Sequence, residues 1–148
     1  MTRPQTVLAF DFGLKRIGIA CGDTLTQHAA ARAAAAVHRG VPDWQAIAGE
    51  VRALMPAVLV VGAPYNVDGS KGTLLAAARR FAAELERRFA LPVQLVDERF
   101  SSLEANEALK ARRAGGARGR IGRADLDSAA AAVILGRWFQ GEGEGTNR

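Results

Sequence analysis

The sequence is poor in the residues that bind metals through sulfur and nitrogen: one cysteine, Cys21, and two histidines, His28 and His38, in 148 residues. A single thiol closes no intrachain disulfide, and no cysteine–histidine cluster has zinc spacing, so any metal must be held by oxygen. Aromatic residues are only 6% of the chain and show no interleaved pattern of the kind that stacks bases. A stacking platform for single strands is therefore not indicated, and backbone and shape should dominate any nucleic-acid contact. No apolar run approaches the ~18 residues that a membrane span needs. Thr2-Arg3-Pro4-Gln5-Thr6 leads straight into a short apolar stretch without the layout of a cleavable signal, so a cytoplasmic location and no membrane partner are expected. Acidic residues are also in deficit: 20 Lys+Arg against 15 Asp+Glu leave +5, a balance that favours polyanionic partners.

What is present is enough for one folded domain, expected over residues 1–140, since a domain takes roughly 100–200 residues. The glycine-rich polar tail 141–148 is expected to be disordered. Two short apolar runs, 7–12 and 17–20, flank Gly13-Leu14-Lys15-Arg16 and read as a hairpin with a basic tip. Residues 29–37 are mostly alanine, for which propensity alone predicts a helix. A helix from about Pro42 to Met55 follows from Trp44, Ile47, Val51 and Leu54 at helical spacing. Val58-Leu59-Val60-Val61 is apolar on both faces and suits a central strand covered on each side. After a turn-rich loop, 73–89 carries Leu74, Ala77, Phe81, Leu85 and Phe89 on one stripe. A strand over 93–98 comes next, then a third helix opened by the capping box Ser101-Ser102-Leu103-Glu104. Asp125 is placed to cap a last helix from about Leu126 to Phe139. Between these helices, 110–123 holds Lys110, Arg112, Arg113, Arg118, Arg120 and Arg123 with no acid among them. This patch reads as either a solvated surface or a phosphate grip.

Three acids fall where packing alone calls for apolar side chains. Asp11 follows Val7 and Ala9 on one strand face, Glu98 alternates with Val96, and Asp127 shares a helix stripe with Ile134 and Trp138. Desolvated carboxylates pair with cations, neutralise or bind metal. Singly, each has an ordinary explanation: Asp11 and Glu98 could pair with Arg16 and Arg99, and Asp127 could stabilise a helix N-terminus. Together they suit a divalent cation, because ligand sites in α/β sheets form beyond the carboxyl ends of strands.

Asp11-Phe12-Gly13-Leu14-Lys15-Arg16-Ile17-Gly18-Ile19-Ala20 resembles the DxGxKRIGxA signature of the YqgF (RuvX-like) family of the ribonuclease H-like superfamily. Gly62-Ala63-Pro64-Tyr65-Asn66-Val67-Asp68-Gly69-Ser70 is similar to its GLPxNMDGS loop. Asp97-Glu98-Arg99-Phe100-Ser101-Ser102 is similar to its DERxST motif, and Asp127-Ser128-Ala129-Ala130 to its closing D-x-A-A helix. The resemblance implies an α/β ribonuclease H-like fold, with a mixed five-stranded sheet flanked by helices, and it makes the alanine-rich segment the third strand. It implies a metal-dependent nuclease acting on pre-16S rRNA, with Asp11, Glu98 and Asp127 as catalytic carboxylates and ligands of Mg²⁺ or Mn²⁺, cations that prefer oxygen. Asp125 and Asp127, two residues apart on a helix, cannot both face one ion; the family pattern falls on Asp127. Lys15, Arg16, Asn66, Arg99, Arg118, Arg120 and Arg123 are the expected substrate contacts.

RNA is the expected partner and DNA the alternative, as a Holliday junction resolvase. Symmetric cutting of a junction needs a dimer, and apart from Trp44, Trp138 and Phe139 the large apolar residues are accounted for by strands and core-facing stripes, which favours a monomer. A nucleotide-dependent phosphotransferase of related fold is disfavoured because Gly69-Ser70-Lys71-Gly72 breaks the phosphate-loop spacing. A non-catalytic nucleic-acid-binding module is the remaining alternative.

Overall fold

A computed structural model describes residues 3–63, 73–97 and 123–141. Six strands form one sheet in the order β4-β3-β2-β1-β5-β6: β1 (Thr6–Asp11), β2 (Arg16–Asp23), β3 (Ala29–His38), β4 (Val41–Pro42), β5 (Val58–Ala63) and β6 (Val93–Asp97). β1, β5 and β6 run parallel, whereas β2, β3 and β4 are paired antiparallel from β1 outward. The described helices are α1 (Trp44–Leu54), α2 (Thr73–Phe89) and α3 (Arg123–Phe139).

β1 lies inside the sheet and is covered on both faces, so Val7, Leu8, Ala9 and Phe10 are all completely buried. Strand alternation divides them. Leu8 and Phe10 join Ile47 of α1, Leu59 and Val61 of β5, and Phe81 and Leu85 of α2. Val7 and Ala9 join Val60, Val96 and, from α3, Ala131, Ile134 and Leu135. On the first face Phe81 is the hub: its ring lies 5.6 Å edge-on from Phe10, 5.2 Å from Phe12 and stacked 5.5 Å from Trp44. Burying one such large apolar side chain contributes roughly 1.5–3 kcal/mol. Trp44, Trp138 and Phe139 are spent within the chain, Trp44 under the Arg88 guanidinium at 4.2 Å and Trp138 beside Phe139.

The ribonuclease H-like layout expected from the motifs agrees with this arrangement, and several local expectations are corrected. Residues 29–37 are the third strand that the resemblance implies, against the helix that propensity alone predicts: β3 pairs with β2 from Gly22↔Ala29 to Arg16↔Ala36. Alanine's helix preference amounts to a few tenths of a kcal/mol per residue over most alternatives, and an unpaired β2 edge outweighs it. The sheet has six strands rather than five because Val41 and Pro42 pair with His38 and Val37. Pro42 therefore occupies a sheet edge, where a missing N–H is tolerated, and α1 starts at Trp44. Asp43 caps it, accepting from the Ala46 N–H at 3.1 Å, and Met55 closes it in the left-handed region at φ 47°. In α2 the buried stripe is Leu75, Ala78, Phe81, Ala82 and Leu85, with Leu74, Ala77 and Phe89 at its margin. α3 begins at Arg123, so Asp125 lies within the helix and does not cap it. The helix expected from Ser101 and the tail 142–148 lie outside the described residues. No helix among the described residues is long and apolar enough to cross a membrane.

Ala30 is exposed and faces Cys21 across the β2–β3 ladder. Ala30→Val is expected to raise the unfolding free energy by about 0.5 kcal/mol, since β-branched side chains suit a pleated surface. A urea titration checks this, and a helical 29–37 segment would respond with a loss.

Candidate active site

The carboxyl ends of the three parallel strands form one edge of the sheet. Asp11 ends β1, level with Gly62 near the end of β5, and Ala63 is level with Asp97 at the end of β6. Alternation sets the half-buried Asp11 on the α3 face, the face of Val7 and Ala9. Its ladder partners are Gly18 on β2 and Gly62 on β5. Cross-strand partners project to the same face, so the two residues directly level with Asp11 both lack a side chain. This sets a carboxylate at the edge where ligands gather in α/β folds.

The hairpin tip forms the basic rim of this edge. Phe12, nearly buried, pins the turn against Phe81, and the Val37 N–H donates to the Lys15 carbonyl at 2.9 Å, tying the turn to β3. Lys15 is exposed and Arg16 half-buried at the start of β2, two residues from Gly18. Gly13 is required by close approach, because a Cβ there would lie 2.6 Å from the Arg16 carbonyl oxygen.

α3 crosses the sheet toward this edge with its N-terminal end. Near its start, the Ser128 hydroxyl accepts from the Ile19 N–H at 3.4 Å and donates to the Arg32 carbonyl at 2.7 Å. At its far end, Trp138 Nε1 donates to Gln94 Oε1 at 2.8 Å and the Phe139 ring covers Gly22. Since Ile19 adjoins Gly18, the first turn of α3 approaches the strand ends that carry Asp11. Position 127 falls four and seven residues before Ala131 and Ile134, both completely buried against the sheet. The side chains of Arg123, Asp125 and Asp127 are outside the described set, as are Asn66, Glu98, Arg99, Arg118 and Arg120 altogether. Of the expected site, the structure thus gives Asp11, Lys15 and Arg16 in full and the backbone of 123 and 127. Among the described residues no group of three His, Cys, Asp or Glu side chains is placed to hold a metal.

Other described acids serve local structure. Asp23, at the opposite edge, accepts from the Thr26 and Leu25 N–H groups at 2.8 and 2.9 Å, and these bonds, led by Thr26, hold its carboxyl below the usual range. Glu50 pairs with Arg32 at 2.7 Å and raises its pKa; Glu84 pairs with Arg87 and Arg88, which lower its own. His28 and His38 are exposed. Gly18, Gly62 and Ser128 lie inside the motifs, but their places level with Asp11 and between two strands follow from register and packing, which no local pattern carries.

The RuvX family model, described as a Holliday junction resolvase, matches residues 5–141. A Coxiella burnetii protein named "Putative pre-16S rRNA nuclease" is 47% identical over 134 residues, covering 90% of this chain and 91% of its own. Proteins of the same name from Edwardsiella ictaluri and Legionella pneumophila are 42% and 45% identical over 139 and 133 residues, covering 94% and 90% of this chain and 97% and 94% of their own. Among solved structures, Thermus thermophilus RuvC in complex with a Holliday junction substrate superposes with a TM-score of 0.56 at 13% identity, covering 93% of this chain and 94% of that one. At that identity the likeness is one of fold.

Gly13→Ala is expected to lower the unfolding free energy by about 1–3 kcal/mol, because the new methyl must displace backbone at the turn. Thermal unfolding of the variant beside the parent measures it; an unchanged midpoint would mean that the turn relaxes freely.

Proposed function

The chain belongs to the RuvX family, and from that premise we propose that it is a divalent-metal-dependent nuclease that hydrolyses phosphodiester bonds in the 5′-end maturation of pre-16S rRNA. The observation that carries this reading is Asp11 at the carboxyl edge of the parallel strands, level with a glycine on each neighbouring strand. The name shared by the curated relatives supports RNA over DNA as substrate.

The donor set fits Mg²⁺ or Mn²⁺, since Asp11, Glu98 and Asp127 are all carboxylates and such ions take a few oxygen ligands and keep several waters. Divalent ions supply charge neutralisation at the phosphoryl oxygens and activation of water. Asp11 ends a strand buried on both faces, which holds its place, and it would hold the ions together with Glu98 and Asp127. Lys15, Arg16 and Arg99 orient the scissile and adjacent phosphates by charge-assisted hydrogen bonds. Asn66, in the motif that follows β5 in sequence, contacts the substrate. Arg118, Arg120 and Arg123 hold the flanking backbone as a salt-sensitive grip.

Asp11→Asn and Glu98→Gln are expected to abolish turnover while leaving nucleic-acid affinity largely intact, and chelation of the parent by EDTA should do the same. Replacing Arg118, Arg120 and Arg123 together should instead weaken binding and lower the salt slope of log affinity by up to about three units. Titration of labelled RNA at several salt concentrations reads the slope, and an unchanged value makes the segment a solvated surface.

The deciding assay sets metal-dependent cleavage of precursor rRNA beside that of a synthetic four-way junction at matched salt, with Asp11→Asn as the blank. Cleavage of the RNA is expected. Paired symmetric nicks in the junction with the RNA untouched would replace this reading by a junction resolvase, and cleavage of neither by the intact protein would leave a binding module.

A further inference from the structure

Ser128 is the buried polar residue among the described residues, with 3% of its surface exposed. A serine within a helix commonly returns its hydroxyl to the carbonyl four residues back. Here the hydroxyl leaves the helix and enters the sheet, donating to the Arg32 carbonyl at 2.7 Å and accepting from the Ile19 N–H at 3.4 Å. Ile19 and Arg32 face each other across the β2–β3 ladder where its register shifts: Ile17 faces Ala35, but Ile19 faces Arg32. The extra residue of β3 in this bulge loosens regular pairing, and the serine hydroxyl stands between a donor on one strand and an acceptor on the other. The small side chains of β3 let α3 lie close enough for so short a side chain to reach.

Along the middle of α3 the contact is apolar, Ala131, Ile134 and Leu135 against Val7, Ala9, Val60 and Val96, and the Trp138–Gln94 hydrogen bond lies at the far end. Such burial is non-directional and resists small slides and rotations of the helix weakly. A hydroxyl with two backbone partners on different strands fixes both. The chain positions then follow from covalent and ladder connectivity. Ile19 adjoins Gly18, the ladder partner of Asp11, and Ser128 adjoins Asp127. The Ser128 bonds therefore tie the helix that carries Asp127 to β2, the strand whose Gly18 is level with Asp11 on β1.

We propose that Ser128 is a positioning residue of the metal site, its hydroxyl bracket on Ile19 and Arg32 setting the separation of Asp11 and Asp127. This role rests on the functional reading above. Groups that orient metal ligands without touching the metal commonly contribute 10–100-fold in affinity or activity. The separation that the bracket sets is a property of the chain itself, so metal binding reports it without any turnover.

The test is calorimetric titration of the full chain with Mn²⁺ alone, for the parent and for Ser128→Ala, Ser128→Thr and Ile47→Val. Ile47 is completely buried on the other face of the sheet, so Ile47→Val lowers stability without touching the bracket. Ser128→Ala is expected to weaken Mn²⁺ binding by about 10-fold or more, Ser128→Thr to recover most of the loss by restoring a hydroxyl, and Ile47→Val to bind as the parent does. Amide exchange at Ile19 in the parent supplies a measurement that needs no variant to fold: Mn²⁺ must slow it, because coupling between bracket and metal is reciprocal. Parent-like affinity in folded Ser128→Ala, equal weakening in Ile47→Val, or Ile19 exchange indifferent to Mn²⁺ each overturns the proposal while leaving the nuclease reading intact. A parent that binds no Mn²⁺ and cleaves no nucleic acid overturns that reading and this role with it.

Discussion

Everything else in the molecule depends on β1 being buried on both faces. Four consecutive residues, Val7–Phe10, are wholly withdrawn from water, and a strand can be so only if one layer of helix covers each side. α1 and α2 supply one layer and α3 the other. Because the strand is pinned from both sides, its end is among the most rigid points of the chain, and Asp11 sits at that end. Burial also fixes which way the acid points: a one-residue slip would send Asp11 to the opposite face together with every apolar partner, at a cost of several buried side chains. The carboxylate is thus oriented by residues that have no chemistry of their own.

Much of this was legible before any coordinates. Alternation through Val7, Ala9 and Asp11 assigned the acid to a face, and the apolar run at 58–61 identified β5 as an inner strand. What resisted was structure set by partners distant in sequence. Propensity favoured a helix at 29–37 because it weighs each alanine alone, whereas the deciding term is the open edge of β2. The family resemblance overruled propensity there, correctly. Pro42 looked like a helix opener because that use and an edge position share the same cause, the missing N–H. Ser128 lies 96 residues from the carbonyl it meets, and no local pattern encodes such a pairing.

The same asymmetry governs the candidate site. Gly18 and Gly62 serve by omission, placing no side chain directly level with Asp11. Their role depends on register, a property of three strands at once. Alanine in β3 acts comparably: it is unremarkable in sequence, yet its small volume allows α3 to approach the sheet backbone.

The distribution of acids sharpens the assignment. Asp23, Glu50 and Glu84 each serve a local structure: a turn, a link between β3 and α1, and an ion pair along α2. All three sit where solvent reaches, and their interactions are of the kind that contributes little more than about 1 kcal/mol each. Asp11 differs in kind. It ends a strand whose preceding residues are fully buried, level with a glycine on each side, on the face that receives the N-terminal end of a helix. A chain seeking only stability gains more from an apolar residue at that place, since carboxylate desolvation works against folding. Under the proposed function its oxygens would serve a cation beyond the strand ends, and the surplus of lysine and arginine would bring a polyanion to that ion.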